Sequence, residues 1–144
     1  DQMAATGAVF GGEHSAHYYF KDFWGADNGM LAAMHLLAEF GLQTDTLSDF
    51  SARYMPYSVS GEINSTVTDL DAARARVRAV LEPIAEVDEF DGLMFVGRTG
   101  DDEPFWWCSV RPSNTEPLLR LNVEGADRAT MERIRDLALE AIRA

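Results

Sequence analysis

The strongest periodicity in the chain lies between residues 70 and 84. Leu70, Ala73, Val77, Val80, Leu81 and Ile84 recur at intervals of three and four, which lays one apolar stripe along a helix, with Arg74 and Arg78 outside it and Pro83 marking its end. A second stripe of Met131, Ile134, Ala138 and Ile142 predicts a closing helix from about Asp127 to Ile142. Between the two, the period drops to two. GLMFVG at 92–97, PFWWCSV at 104–110 and LLRLNVE at 118–124 predict three strands, the first two joined by a hairpin turn at GDDEP, 100–104. In the last of them Leu119, Leu121 and Val123 share one face, leaving Arg120, Asn122 and Glu124 on the other. Alternation from Tyr57 to Val67 adds a strand ahead of the first helix. Strand, helix, three strands, helix is an α+β pattern: an antiparallel sheet with two helices on one face.

The first third of the chain is organised differently. Residues 8–20 read as a strand, a tight turn at Gly11 and Gly12, then an extended aromatic segment. A helix follows, with Asp27 as its N-cap and Gly41 just past its end. Met30, Leu31, Met34, Leu36, Leu37 and Phe40 make it apolar on nearly every side, the mark of a helix buried on several sides. Residues 43–56 carry turn and cap formers and read as a linker. The pattern divides the chain at this linker into two units.

Composition narrows the class of function. A length of 144 residues with 47% hydrophobic content suits a folded protein with a real core. The net charge of −12, from 12 basic and 24 acidic residues, disfavours a nucleic-acid surface, which needs clustered Lys and Arg. Any phosphate this chain binds must be gripped locally, against the overall field. No apolar run is long enough to span a membrane, and the N-terminus lacks the basic start of a secretory signal. The single cysteine, Cys108, sits in FWWCSV as a small core residue, and a reducing cytoplasm is the expected compartment.

Two stretches carry candidate chemistry. In VRPSNTEPLLR, 110–120, Arg111 offers a planar bidentate guanidinium, Ser113, Asn114 and Thr115 offer donors, and Pro112 and Pro117 keep the loop extended. That set suits a phosphate; its bland alternative is an ordinary turn. Glu116 is available to pair with Arg120 or Arg111. In GGEHSAHYYF, 11–20, Glu13 and Ser15 fall on one side of an extended chain and together suit the vicinal hydroxyls of a sugar, with His17 continuing that face. His14 falls on the opposite face, which argues against a metal shared with His17. DLDAAR, 69–74, resembles a carboxylate cluster but opens the periodic helix, where acidic residues act as caps.

Taken together, GGEHSAH with its aromatic segment, the GADNGM helix start and, about ninety residues on, RPSNTEPLLRLNVE resemble the C-terminal part of the α-D-phosphohexomutases, most closely the bacterial phosphomannomutase/phosphoglucomutase branch. The resemblance implies interconversion of hexose 1-phosphate and hexose 6-phosphate through a hexose 1,6-bisphosphate. It also implies sugar contacts by Glu13 and Ser15, a substrate-facing His17 that assists proton transfer, and a phosphate held by Arg111, Ser113, Asn114, Thr115 and Arg120. Ala16 stands where the family often has glycine. The family's phosphoserine loop and its aspartate-rich magnesium loop have no counterpart in this sequence. The chain is therefore expected to be the end of a third domain, residues 1–45, with a complete, TBP-like fourth domain, residues 54–144, inactive by itself and dependent on the remaining domains. Without the third domain's sheet, residues 27–40 are expected to dock on the fourth domain or on a second copy. The reading in a different class is a non-catalytic module that binds a phosphorylated ligand.

Overall fold

A computed structural model describes residues 2–13, 15–89, 92–97, 105–113 and 116–144. The chain divides into two compact units, residues 1–54 and 55–144.

The first unit begins with α1 (Gln2–Thr6) and a three-stranded antiparallel sheet in the order β1 (Phe10–Gly12), β2 (Tyr18–Phe20), β3 (Ala26–Asp27). Its glycines are not the turn. Gly11 and Gly12 lie inside β1, paired with Tyr19 and Tyr18, and the chain reverses at residues 13–17. There the Ala16 N–H donates to the Glu13 carbonyl at 3.0 Å and the Glu13 N–H to the His17 carbonyl at 2.9 Å. Ala16 takes the left-handed conformation, φ 65°, a strained choice for a residue with a Cβ. Gly11 is small for another reason: Met3 of α1 sits 3.0 Å from where its Cβ would be.

The following helix, α2 (Gly29–Gly41), is capped by Asn28, whose Oδ1 accepts the Leu31 N–H at 2.9 Å. Asp27, expected to be the cap, belongs to β3, and its carboxylate is engaged elsewhere. Gly41 lies within the last turn, and Leu42 is the C-cap. The expected linker at 43–56 contains α3 (Leu47–Ala52), capped by Thr46, with Phe50 buried between Phe40 and Tyr54. Along α2, Met30, Met34 and Leu37 are 74%, 61% and 66% exposed, so one apolar stripe lies open.

The second unit is built on one antiparallel sheet. Its strands are β4 (Ser58–Val59), β5 (Ile63–Thr66), β6 (Ala85–Asp88), β7 (Leu93–Gly97), β8 (Trp106–Pro112) and β9 (Leu118–Gly125), in the order β4-β9-β8-β7-β6, with β5 also on β9. The alternation read at 57–67 is thus two short strands on one edge of β9, interrupted around Gly61. β6 has no strong signal, because AEVD carries two acids in four residues, and only pairing with β7 defines it. The hairpin turn expected at 100–104 lies outside the described residues.

Helices α4 (Leu70–Leu81) and α5 (Arg128–Arg143) cover the inner face. Both start at an acidic cap: Asp69, in the stretch expected to cap the helix, accepts from the Ala72 N–H, and Asp127, expected only as the start of its helix, accepts from the Thr130 N–H. Ala73, Val77 and Leu81 meet Met131, Ile134, Ala138 and Ile142 over Phe95, Cys108, Val110, Leu119, Leu121 and Val123. Val80 and Ile84 belong to the stripe by spacing but are about 40% and 39% exposed, since the chain leaves the helix in a tight turn at Glu82–Ile84. Arg76 ties the helices together by donating to the Ala141 carbonyl at 2.8 Å and the Ile142 carbonyl at 3.2 Å, where α5 leaves its last acceptors open. Gly97 is required because the Trp106 indole fills the space a Cβ would take.

Cys108 is fully buried, and burial pushes its thiol up to about 12. It is expected to react with a thiol reagent such as DTNB only as fast as the second unit opens; instantaneous labelling of the native protein would contradict this packing. Among the described residues no helix is long and apolar enough to cross a membrane.

Candidate functional site

In the first unit the register does the assembling. Tyr19 is paired with Gly11 on one side and Asp27 on the other, so all three lie on one face of the small sheet. Glu13 and His17 continue that face into the turn. The Tyr19 hydroxyl donates to Glu13 Oε1 at 2.8 Å, and the Ser15 hydroxyl donates to Oε2 at 2.9 Å. Those two hydrogen bonds, Tyr19's first, hold the Glu13 carboxyl below its usual range, and the same contact raises the Tyr19 phenol. Four residues along, His17 Nδ1 meets Asp27 Oδ2 at 2.7 Å. The hydrogen bond with Asp27 raises His17, and reciprocally His17, then the Tyr18 N–H, lowers Asp27.

The structure therefore brings Ser15 onto Glu13 and sets His17 apart from them, on a carboxylate that the sequence reading had assigned to a helix. His14 lies outside the described residues. Tyr19 and Asp27 were not anticipated as site residues. For Tyr19 a signal existed: it is two residues beyond His17, on the same alternating face.

In the second unit Arg111 on β8 and Arg120 on β9 are register partners, so two guanidinium-bearing residues stand side by side on the sheet face opposite the helices. Like charges placed directly across a strand pair are unfavourable by themselves. The Ser113 N–H closes the ladder on the Leu118 carbonyl at 2.8 Å, and Arg120 Nη2 reaches the Ser113 hydroxyl at 3.5 Å. The carboxylate that meets Arg120 is Glu62, at 3.8 Å, rather than Glu116, and Glu62 is itself held by Asn64 Nδ2 at 3.3 Å. Arg120 Nε and the neighbouring Asn122 Oδ1 are buried without a hydrogen-bond partner among the described residues. Donors in this arrangement, on strands that fix their spacing, suit an oxyanion with several acceptor atoms. Asn114 and Thr115 lie outside the described residues. Among the described residues no three His, Cys, Asp or Glu side chains gather into a group able to hold a metal.

Comparison with known proteins decides the family. The model of the phosphoglucomutase/phosphomannomutase C-terminal domain matches residues 62–141, and that of the alpha/beta/alpha domain III of the same family matches residues 1–57. The chain belongs to the phosphoglucomutase/phosphomannomutase family. It is 39% identical over 134 residues to a phosphomannomutase of Escherichia coli, covering 91% of this chain and 28% of that protein. Over 127 residues it is 44% identical to a protein of Xanthomonas campestris named phosphohexose mutases, covering 86% and 27%, and over 130 residues it is 33% identical to a phosphomannomutase of Methanocaldococcus jannaschii, covering 90% and 27%. Among solved structures, a phosphoglucomutase/phosphomannomutase family protein of Burkholderia thailandensis matches with a TM-score of 0.73 and 28% identity, over 99% of this chain and 29% of that one. The chain thus spans little more than a quarter of the length of these relatives. The α+β fold with antiparallel sheets is that of the family.

Proposed function

We propose that the chain is the C-terminal part of an intramolecular phosphotransferase, a phosphomannomutase/phosphoglucomutase that interconverts hexose 1-phosphate and hexose 6-phosphate through a hexose 1,6-bisphosphate. The observation that carries this reading is the Arg111–Arg120 register pair. On a chain of charge −12, two arginines held opposite each other on neighbouring strands, with the Ser113 hydroxyl beside Arg120, offer a dianion several charge-assisted donors at one place. On this reading residues 1–45 complete the family's third domain and residues 54–144 form its fourth.

Arg111, with Ser113, Asn114, Thr115 and Arg120, grips the phosphate remote from the reacting oxygen. Glu13 and Ser15 meet sugar hydroxyls, and His17 faces the hydroxyl that gains or loses the phosphoryl group. The contribution of such a grip is position and electrostatic complementarity rather than bond-making. Because it recognises a phosphate and not a sugar, it serves both orientations of the bisphosphate. Magnesium and the phosphoryl-carrying serine belong to residues outside this chain. We place the enzyme in the cytoplasm and in the bacterial branch, the higher identity to the Escherichia coli and Xanthomonas campestris relatives than to the archaeal one supporting the latter.

Phosphomannomutase activity is expected from a longer chain that contains this one. The 144 residues alone are expected to bind glucose 1,6-bisphosphate without turning it over. Turnover of mannose 1-phosphate by the chain alone would contradict this division of roles.

The remaining domains are the partner we assign to the open stripe of α2. In their absence residues 27–40 drive self-association, because exposed apolar area costs roughly 25 cal/mol per Å². Light scattering is expected to show a mass that rises with concentration, and Met34→Glu to return it to the monomer. A monomer at every concentration, with fast amide exchange throughout residues 27–40, would exclude the arrangement.

A further inference from the structure

Asp27 is held more firmly than a surface aspartate needs to be. β3 is only two residues long, yet it is tied to β2 by the Tyr19↔Asp27 and Phe20↔Ala26 pairs. The Asn28 N–H closes onto the Tyr18 carbonyl at 2.9 Å, and the Gly25 N–H onto the Phe20 carbonyl at 2.9 Å. Trp24 and Gly25, both left-handed at φ 56° and 65°, make the reversal that returns the chain to this register. With Asn28 capping α2, the Asp27 carboxylate is left to serve the sheet. Its Oδ1 accepts the Tyr18 N–H at 2.9 Å, which fixes the rotation of the group, and its Oδ2 lies 2.7 Å from His17 Nδ1.

A carboxylate is an acceptor only, so the proton in that 2.7 Å contact belongs to Nδ1. The neutral imidazole then carries its lone pair on Nε2. The His17 side chain is 52% exposed, so the ring remains open to a ligand. Among the described residues, the charged groups facing it are Asp27 from β3 and Glu13 from the far side of the turn, the latter engaged by Tyr19 of β2.

We infer that Asp27 is the positioning residue of His17: it fixes the Nδ1–H tautomer and the ring orientation, so that Nε2 is presented as the acceptor for a hydroxyl of the phosphosugar. The inference rests on the proposed function for its ligand, but the arrangement itself is a property of the free chain. Support comes from the raised proton affinity of His17 and the lowered one of Asp27, each caused first by the other. Both carboxylates near the ring are negative, so the imidazolium that forms when Nε2 takes a proton is compensated without movement of the chain.

Long-range ¹H–¹⁵N spectra of the histidine rings test this in the chain as it stands, with His17 assigned by its loss in His17→Gln. Above its midpoint, His17 is expected to carry its proton on Nδ1. Asp27→Asn keeps an oxygen for the Tyr18 N–H but turns an amide N–H₂ toward Nδ1, so the tautomer is expected to invert to Nε2–H and the titration midpoint to fall. Asp27→Glu is expected to restore part of both. A neutral wild-type His17 protonated on Nε2 would overturn the inference before any variant is made, as would an unchanged tautomer and midpoint in Asp27→Asn with the Tyr19 and Phe20 amide signals intact. No sugar is present in these spectra. Failure here therefore leaves the phosphosugar reading standing, while failure of bisphosphate binding in a separate titration removes the proposed ligand and leaves the His17–Asp27 pair in place.

Discussion

Phe95→Ala is expected to remove about 3–5 kcal/mol from the stability of the second unit. Phe95 is the largest of the fully buried side chains, at the centre of β7 with Val87 and Cys108 as its register partners. Helices and sheet both pack around it, so the vacated space has little to collapse into. Domains of this size are stable by roughly 5–15 kcal/mol, so the loss takes a large part of the total. Each kcal/mol lowers the melting temperature by about 4–8 °C in a unit of 60–100 residues. Thermal melts followed by tryptophan fluorescence, sensitive to Trp106 on the adjoining strand, measure the shift. Met94→Ala is the control, because Met94 sits next in sequence but faces outward, 38% exposed, and should cost within about 0.5 kcal/mol. Equal losses from both would mean that the faces of β7 are assigned wrongly.

The second large effect concerns the arginine pair. Arg111→Ala in the longer enzyme is expected to raise KM and lower turnover. Charged hydrogen bonds contribute about 1.5–3 kcal/mol each, which corresponds to roughly a 10- to 150-fold loss of kcat/KM for one such bond. Arg78→Ala removes a cation of the same type from α4, where its partners are Glu82 and Glu89 and no ligand is proposed. It should change kcat/KM by less than about twofold, because exposed ion pairs contribute little. Steady-state kinetics of both variants decide between local grip and general charge: similar losses from the two would remove Arg111 from the site.

What could be read in the sequence was whatever is decided locally. The 119, 121, 123 alternation and the stripes of α4 and α5 fixed the buried faces, because period follows from backbone geometry alone. Asp69 was legible as a cap for the same reason, needing only the amide three residues on, and Asp127 marked the start of α5. Asp27 was misread because Asp27 and Asn28 are both good cap formers in adjacent positions. The choice between them is made by His17, ten residues back, through a hairpin whose turn the glycines disguised. Glycine at 11 answers a side chain from α1, not a turn, and no local pattern reveals that. Glu62 and Arg120 meet only because β5 and β9 pair, so their contact is invisible until the sheet exists. β6 is a strand by virtue of its neighbour rather than its composition.

The family resemblance pointed to Arg111 and Ser113. The sheet adds that β8 and β9 pair Arg111 with Arg120, so the two arginines share one stretch of the sheet. The most direct test is a ¹⁵N titration of the arginine Nε–H signals of this chain with glucose 1,6-bisphosphate. The account predicts saturable shifts at Arg111 and Arg120, with those of Arg78 and Arg128 unmoved. Shifts confined to Arg78 and Arg128, or none at any arginine while the ligand binds elsewhere, would contradict it.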